Sequence, residues 1–483
     1  MLNKREVVAG MAVIGVASGA TGASPASAQN LSGEGLFTGK RPAPEARKFS
    51  SPAIEAHVNQ LTSAIRDTQL AALFENCFPN TLDTTVERVG TFDAGPSAFI
   101  ITGDIDAMWL RDSSAQVWPY IRFAKDDDAL QTLFRGIIQQ QARFILIDPY
   151  ANAFMPDITQ TTNLLWAQND YTDMVKGVAE RKWEVDSLCW TIRLAHGYWK
   201  TSGDTAPFDT VVWQPAMRRV LQTLQEQQRK VSDGPYHFQR KAANPVDTLL
   251  LNGYGAPTQK VGLIHSGFRP SDDACTYPFL IPSNHFAVVS LRQLSEMATA
   301  FGMGAGFAIE CRALADEVAT ALIIHGKARL PSGTTVWAYE VDGYGNTLFM
   351  DDANTPSLLS LPYLGACSRQ DPLYQATRKA VLSLQNPYFF KGIAAEGTGG
   401  PHIGKNMIWP MSIMMRALTS DDDAEIMACL AELKTTTAGT GFMHEAFHKD
   451  DPTKFTRSWF AWANTLFGEL ILDIATRKPK LIL

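Results

Sequence analysis

The stretch Asp104-Ile105-Asp106-Ala107-Met108-Trp109-Leu110-Arg111-Asp112-Ser113-Ser114-Ala115-Gln116-Val117-Trp118-Pro119-Tyr120 decides how the rest of the chain is read. It crowds three carboxylates, an arginine and two tryptophans into one short segment. Charged side chains resist burial unless they are paired, and tryptophan resists full exposure. The segment therefore suits neither a packed core nor a solvated helix face. It suits a concave polyol site, where flat apolar surface meets the C–H face of a sugar ring and charged forks meet its hydroxyls. A plainer reading stands beside it: a helix start tied by an Arg111–Asp112 ion pair.

Segments of this character recur along the chain. Polar, aromatic, glycine-rich loops occupy 102–113, 267–283, 339–354, 394–409 and 441–457. Around and between them, apolar residues recur at helical spacing over 53–73, 129–147, 183–199, 211–225, 286–301, 307–323, 373–384, 409–418, 424–433 and 460–474. Asp422 stands three residues before Glu425 as a capping pair. Strand signals are few, the clearest being 336–341, which turns at Asp342-Gly343 into 347–350 and predicts a hairpin inserted in a loop. The pattern alone establishes a large, mostly α chain and does not count hairpins. A closed ring of helical hairpins would bring such loops to one end, and an (α/α)6 barrel with small β-hairpin insertions satisfies this with one domain.

Length, charge and termini bound the reading. The 483 residues can bury a large core. A net charge of −6, a pI near 5.9 and the lack of any basic run argue against nucleic acid as a partner. Asn3-Lys4-Arg5, a weakly apolar stretch over 7–20 and Ala26-Ser27-Ala28 fit a cleavable export signal over 1–28, of twin-arginine or ordinary secretory type. The expected location is exported, periplasmic, with no stable membrane insertion after cleavage, because a spanning helix needs about 20 strongly apolar residues. A flexible leader is expected over 29–44 and a single catalytic domain over 45–483. Six scattered cysteines without a Cys-x-x-Cys pair exclude a zinc ribbon and read mainly as small buried residues, with one or two disulfides open.

Two loops hold carboxylates suited to acid–base work. In Gly267-Phe268-Arg269-Pro270-Ser271-Asp272-Asp273-Ala274-Cys275-Thr276-Tyr277, neighbouring acids and partial burial can keep one carboxyl protonated near neutral pH. A helix N-cap with a solvated neighbour is the bland alternative. The second loop contains His444-Glu445-Ala446-Phe447-His448, the His-Glu-x-x-His pattern of zinc peptidases, with Glu469 as a conceivable third ligand. That motif needs a well-formed helix, yet Gly439, Gly441 and Asp450-Asp451-Pro452 leave room for about two turns at most. Without metal, Glu445 keeps the role of a general base for water, and His444 and His448 become hydrogen-bond or sugar contacts. The run Ala395-Glu396-Gly397-Thr398-Gly399-Gly400-Pro401-His402 lacks the Gly-Lys-Ser/Thr ending of a phosphate loop and reads as a polar loop.

Taken together, these segments resemble glycoside hydrolase family 125, metal-independent exo-acting α-1,6-mannosidases with an (α/α)6 barrel. The resemblance is carried by 102–113, by 267–277 running into Ile281-Pro282-Ser283-Asn284, by Met350-Asp351-Asp352-Ala353-Asn354, by 396–402 and by 443–462, and it spans roughly 45–476. It implies an inverting reaction with an acid in the Arg-Pro-Ser-Asp-Asp loop, assigned to Asp272 with Asp273 beside it, and Glu445 as the base. An inverting pair stands about 6.5–9.5 Å apart, a retaining pair about 5 Å. The resemblance further implies terminal α-1,6-linked mannose as substrate and neither metal nor cofactor. Asp104, Asp106, Trp109, Arg111, Asp112, Arg269, Asp273, Glu396, His402 and His444 are the candidates for holding the sugar. The rival readings are a zinc metallopeptidase on His444, Glu445 and His448, a non-catalytic carbohydrate-binding protein, and an (α/α)6 enzyme acting on other glycosides, since one barrel hosts many reactions.

Overall fold

An amphipathic helix buries its apolar stripe best against another helix, and a helix that is apolar all round must be surrounded. Both kinds occur in the structure, a computed structural model that describes residues 37–92, 94–242 and 244–483. The export signal expected over 1–28 lies outside the described residues. The principal helices are α1 (Pro52–Ala64), α2 (Thr68–Cys77), α3 (Leu110–Val117), α4 (Asp128–Ile147), α5 (Val185–Ser202), α6 (Trp213–Glu226), α7 (Ile281–Ala300), α8 (Ala305–His325), α9 (Pro372–Val381), α10 (Pro410–Leu418), α11 (Asp423–Thr435) and α12 (Ala461–Arg477).

Burial sorts them into two layers. Every residue of α3 is buried, as are the first eleven residues of α5, all of α10 but Arg416 and the first two-thirds of α12. By contrast α6 buries only Trp213, Ala216, Met217, Val220, Leu221, Thr223 and Leu224, a single stripe. The inner helices meet in the order α3, α5, α7, then α10, α12 and back to α3, while α2, α4, α6, α8, α9 and α11 lie outside. Between α7 and α10 the chain runs through tight turns over 357–365, buried over 357–361, and Tyr363 meets Arg193 of α5 and Glu469 of α12. The architecture is an (α/α)6 barrel. Among the described residues, no helix is long and apolar enough to cross a membrane. The six cysteines are unpaired thiols, and all but Cys367 are buried.

Three local expectations are corrected. The helix expected over 53–73 is two helices, because the Asp67 carboxylate accepts the Leu70 N–H at 2.9 Å and starts α2 afresh. The expected hairpin is real only between Glu340–Val341 and Thr347–Leu348, whereas Thr335–Trp337 pairs with Lys327–Arg329. Asp422 caps α11 at the Ala424 N–H, but Glu425 turns to Arg378, Arg416 and Ser420, so the reciprocal half of the capping pair is missing. A hairpin not foreseen, Val86–Phe92 with Gly95–Ile100, lies on α4, where a Cβ at Gly136 would sit 2.7 Å from the Ser97 carbonyl carbon.

The described part of the leader expected over 29–44 is tethered. Thr38 N–H donates to the Gly439 carbonyl at 2.8 Å and Arg41 N–H to Asn76 at 2.9 Å. The Arg41 guanidinium is clamped between Glu55 and Asp83, with Nε 2.7 Å from Asp83. The boundary expected at residue 45 therefore falls inside a segment already anchored to the barrel. Asp83 is 1% exposed, so removing its partner leaves a buried carboxylate that Arg47, at 3.7 Å, only partly offsets. Arg41→Met is expected to lower the unfolding free energy by roughly 3–5 kcal/mol, checked by urea denaturation.

Candidate active site

The quoted stretch leads directly into the inner ring. Trp109 is the N-cap of α3, and the serines that follow are satisfied within the barrel: Ser113 Oγ donates to the Trp109 carbonyl and Ser114 Oγ to the Leu110 carbonyl, each at 2.7 Å, while Gln141 Nε2 donates to both hydroxyls. The plainer reading of a helix start is thus half right. Arg111 lies 3.6 Å from Asp112, but its closer partners are Glu184 at 2.6 Å and Asp186 at 3.2 Å, both at the start of α5 and fully buried. Burial pushes both carboxyls up from the ordinary carboxylate range, against the pull of the Arg111 cation.

The 267–277 loop is a tight turn rather than a helix cap. Arg269 N–H donates to the Asp273 carbonyl at 2.7 Å and Asp272 N–H to the Arg269 carbonyl at 2.9 Å. This turn puts Asp272 in the left-handed region at φ +71°, a conformation that costs about 1–3 kcal/mol for a residue with a Cβ and persists only where neighbours enforce it. The neighbours are visible. Arg269 Nε donates to Glu340 at 2.6 Å, and the other oxygen of Glu340 accepts the Thr276 and Tyr277 N–H groups. Ser271 Oγ donates to Asp352 at 2.6 Å. Asp351 receives the Leu358 and Leu359 N–H groups, so 350–354 braces the turn from behind.

The second loop does not form the helix that a zinc site requires. Phe447–His448 is a strand paired with Met407–Ile408 and with Asp451–Phe455. The His444 Nδ1–H donates to the Arg457 carbonyl at 2.9 Å and its ring stacks on Phe455 at 4.0 Å, whereas the Nδ1 of His448 accepts the Asp450 N–H. Glu469 is engaged inside the barrel, accepting from the Trp118 indole and the Tyr363 hydroxyl. The helical-face geometry behind the peptidase reading is therefore gone. Glu445 faces Arg457, with Oε1 3.7 Å from Nε, and Arg457 Nη1 lies 3.4 Å from Asp104.

These pieces converge on one polar cleft. Of the sequence candidates, Trp109, Arg111, Asp112, Asp272, His402 and Glu445 line it. Asp104 reaches its rim through Arg457, while Asp106 is exposed to solvent outside it. Arg269, Asp273 and His444 lie behind the wall and hold it. Glu396 is off the cleft, paired with Arg416 at 3.0 Å and Lys391 at 2.7 Å on the strand Glu396–Thr398. The glycines after it serve packing: a Cβ at Gly399 would stand 2.1 Å from the Met407 carbonyl oxygen.

Sequence reasoning missed Thr102, Ile105, Asn354, Trp409, Arg457, Phe460 and Trp462, which complete the lining together with Pro270 and Ser271 of the Asp272 turn. One signal was available. Trp109, Trp409 and Phe460 are the N-caps of α3, α10 and α12, and none of those helix starts has a side-chain cap, although Ser, Thr, Asp or Asn is the usual residue there. Three helix N-termini thus open onto the cleft and turn their partial positive charge toward it. Thr102 Oγ, Asn354 Nδ2 and Trp409 Nε1 are buried at the cleft with no hydrogen-bond partner among the described residues. Such groups are costly unless a ligand meets them, and hydroxyls of a sugar are matching partners.

His402 spans the two carboxylate loops, with Nδ1 3.4 Å from Asp273. Burial alone would lower its pKa, but its hydrogen bond to Asp273 and the charges of Asp273, Asp272 and Glu445 prevail and raise it above 6.5. A raised histidine pKa stabilises the fold below the unfolded value and loses that contribution as pH rises through the folded value. Asp273→Asn is expected to move the His402 ring titration to lower pH, checked by NMR of the histidine side chains.

The site and the barrel agree with what the chain is similar to. Residues 67–472 match the family described as metal-independent α-mannosidase, GH125. The Schizosaccharomyces pombe meiotically up-regulated gene 157 protein is 45% identical over 459 residues, covering 92% of this chain and 89% of that protein. A Streptococcus pneumoniae metal-independent α-mannosidase, solved as a non-productive substrate complex with α-1,6-mannobiose, is 40% identical, superposes with a TM-score of 0.84 and covers 89% of this chain and 100% of that one. A bacterial glucoamylase complexed with acarbose shares the fold alone, at 11% identity and a TM-score of 0.51 over 88% of this chain and 56% of that one. With its barrel and its carboxylate-lined cleft, the chain is a glycoside hydrolase that belongs to the metal-independent α-mannosidase family GH125.

Proposed function

We propose that this α-mannosidase is exo-acting and inverting, that it removes terminal α-1,6-linked mannose, and that Asp272 is its general acid and Glu445 its general base. The observation that carries the assignment is that Asp272, held at φ +71° by its turn, and Glu445, held beside Arg457, line the same cleft from different loops. The linkage is suggested by the mannobiose bound to the Streptococcus pneumoniae relative.

The chemistry follows from the placement. Protonated Asp272 gives its proton to the glycosidic oxygen as the C–O bond breaks, while Glu445 takes a proton from a water that attacks the anomeric carbon on the opposite face. The product is β-mannose, with Asp272 left ionised and Glu445 protonated until solvent exchange resets them. Arg457 stands beside Glu445 as its counter-ion, 3.7 Å from its Oε1. Trp109, Trp409 and Trp462 offer flat surface, and Arg111, Asp112 and Asn354 offer donors and acceptors for the ring hydroxyls.

The test is NMR of α-1,6-mannobiose hydrolysis by the purified chain, with and without EDTA. Early release of β-mannose that survives EDTA is the expected outcome, and early α-mannose would overturn inversion. Asp272→Asn and Glu445→Gln should each lose about 10²–10⁴-fold in kcat. On 2,4-dinitrophenyl α-mannoside, whose leaving group needs no proton, Asp272→Asn should stay close to the parent rate and Glu445→Gln should not.

A further inference from the structure

A second buried residue touches the turn that carries Asp272. Lys182 lies between the short strand Val178–Glu180 and α5, and only 1% of it is exposed. Its ammonium donates to the backbone carbonyl of Asp272 at 2.6 Å and lies 4.8 Å from the centroid of the Phe268 ring, which belongs to the same loop. A buried ammonium loses several kcal/mol of solvation, so a lysine sequestered here is held by specific contacts rather than by chance packing. Its neighbours make it a fixed point. The Lys182 N–H donates to Asn152 Oδ1 at 3.1 Å, and the Trp183 carbonyl accepts the Gly267 and Phe268 N–H groups at 3.1 and 3.0 Å.

The geometry of the turn gives that contact its meaning. The turn that holds Asp272 in the left-handed region is closed by bonds from Asp272 N–H and Arg269 N–H, neither of which involves the Asp272 carbonyl. Lys182 does fix it. Were the peptide after Asp272 to relax toward the ordinary right-handed or extended region, which is favoured by about 1–3 kcal/mol, the carboxyl would leave its place in the cleft.

We propose that Lys182 is a positioning residue for the general acid: by anchoring the Asp272 carbonyl it holds the left-handed turn and so aims the Asp272 carboxyl at the glycosidic oxygen. This rests on the reading of Asp272 as the acid given above. Lys182 touches no substrate atom in this role. Its loss should therefore injure the acid half of the reaction and spare the base half.

The experiment compares Lys182→Met, Lys182→Arg and Asp272→Asn on α-1,6-mannobiose and on 2,4-dinitrophenyl α-mannoside, with pH profiles on the mannobiose. Lys182→Met is expected to lose about 10²-fold in kcat on mannobiose, the scale of a misplaced catalytic group, and to hydrolyse the dinitrophenyl glycoside close to the parent rate. Its alkaline limb should persist but move to higher pH, because a cation near the acid has gone, whereas Asp272→Asn should abolish that limb. Lys182→Arg, which restores charge and donor, should recover part of the mannobiose rate, and it is read in the same way should the methionine variant not fold. Equal losses on both substrates, or no loss on mannobiose, overturn the positioning role. Failure of Asp272→Asn itself to discriminate between the substrates overturns instead the assignment of the acid.

Discussion

The arrangement depends on one buried interaction, the ion cluster of Arg111 with Glu184 and Asp186. It ties the start of α3 to the start of α5 inside the inner ring, and its arginine also lines the cleft. A lone guanidinium could not be buried there, nor could either carboxylate. Each makes the other tolerable, and the cluster fixes where two inner helices begin. From those starting points the flanking segments are launched: 102–109 on one side, and on the other Lys182 and Trp183, which support the turn of Asp272. Replacing the cluster by well-packed apolar residues need not weaken the barrel, since buried ion pairs seldom add net stability. Its value is geometric.

The same logic explains why charge accumulates without dispersing. Asp104, Asp112, Asp272, Glu445, Glu184 and Asp186 surround Arg111, Arg457 and His402. With every group ionised, carboxylates outnumber cations here. The cheapest remedy in a low-dielectric site is for the cluster to retain protons near neutral pH, and burial raises Glu184 and Asp186 in that direction.

The helices were legible in the sequence because their apolar spacing is a local property. Residues 128–147, 305–325 and 461–477 read almost as they are found. The number of hairpins was not legible, since closure of a ring is decided by contacts between distant helices. In the site, the acidic and aromatic stretches pointed to Trp109, Arg111, Asp112, Asp272, His402 and Glu445, all of which meet in the cleft. What failed was partner choice. Arg111 beside Asp112 suggested a local pair, but the closer partners come from 73 and 75 residues away. Glu396 followed by glycines suggested a ligand loop, but its charge is taken by Lys391 and Arg416. An ion pair across the barrel leaves no periodicity for a single sequence to show.

His-Glu-x-x-His illustrates the same limit from the other side. The spacing is a metal site only if the backbone advances about 100° per residue, so that both imidazoles share a face. In a strand successive side chains alternate, and here pairing with Met407–Ile408 imposes the extended form near His448 while Phe455 captures the His444 ring. The motif is then three separate residues: a histidine that fastens the Arg457 carbonyl, a histidine in a hairpin and a carboxylate facing the cleft. What remains of the zinc chemistry is its one metal-free part, a glutamate placed where water can reach it. That Glu445 is followed by strand rather than helix is what separates a sugar hydrolase from a peptidase at this point in the chain. The difference is carried by glycines and a proline outside the motif, Gly439, Gly441 and Pro452, more than by the residues within it.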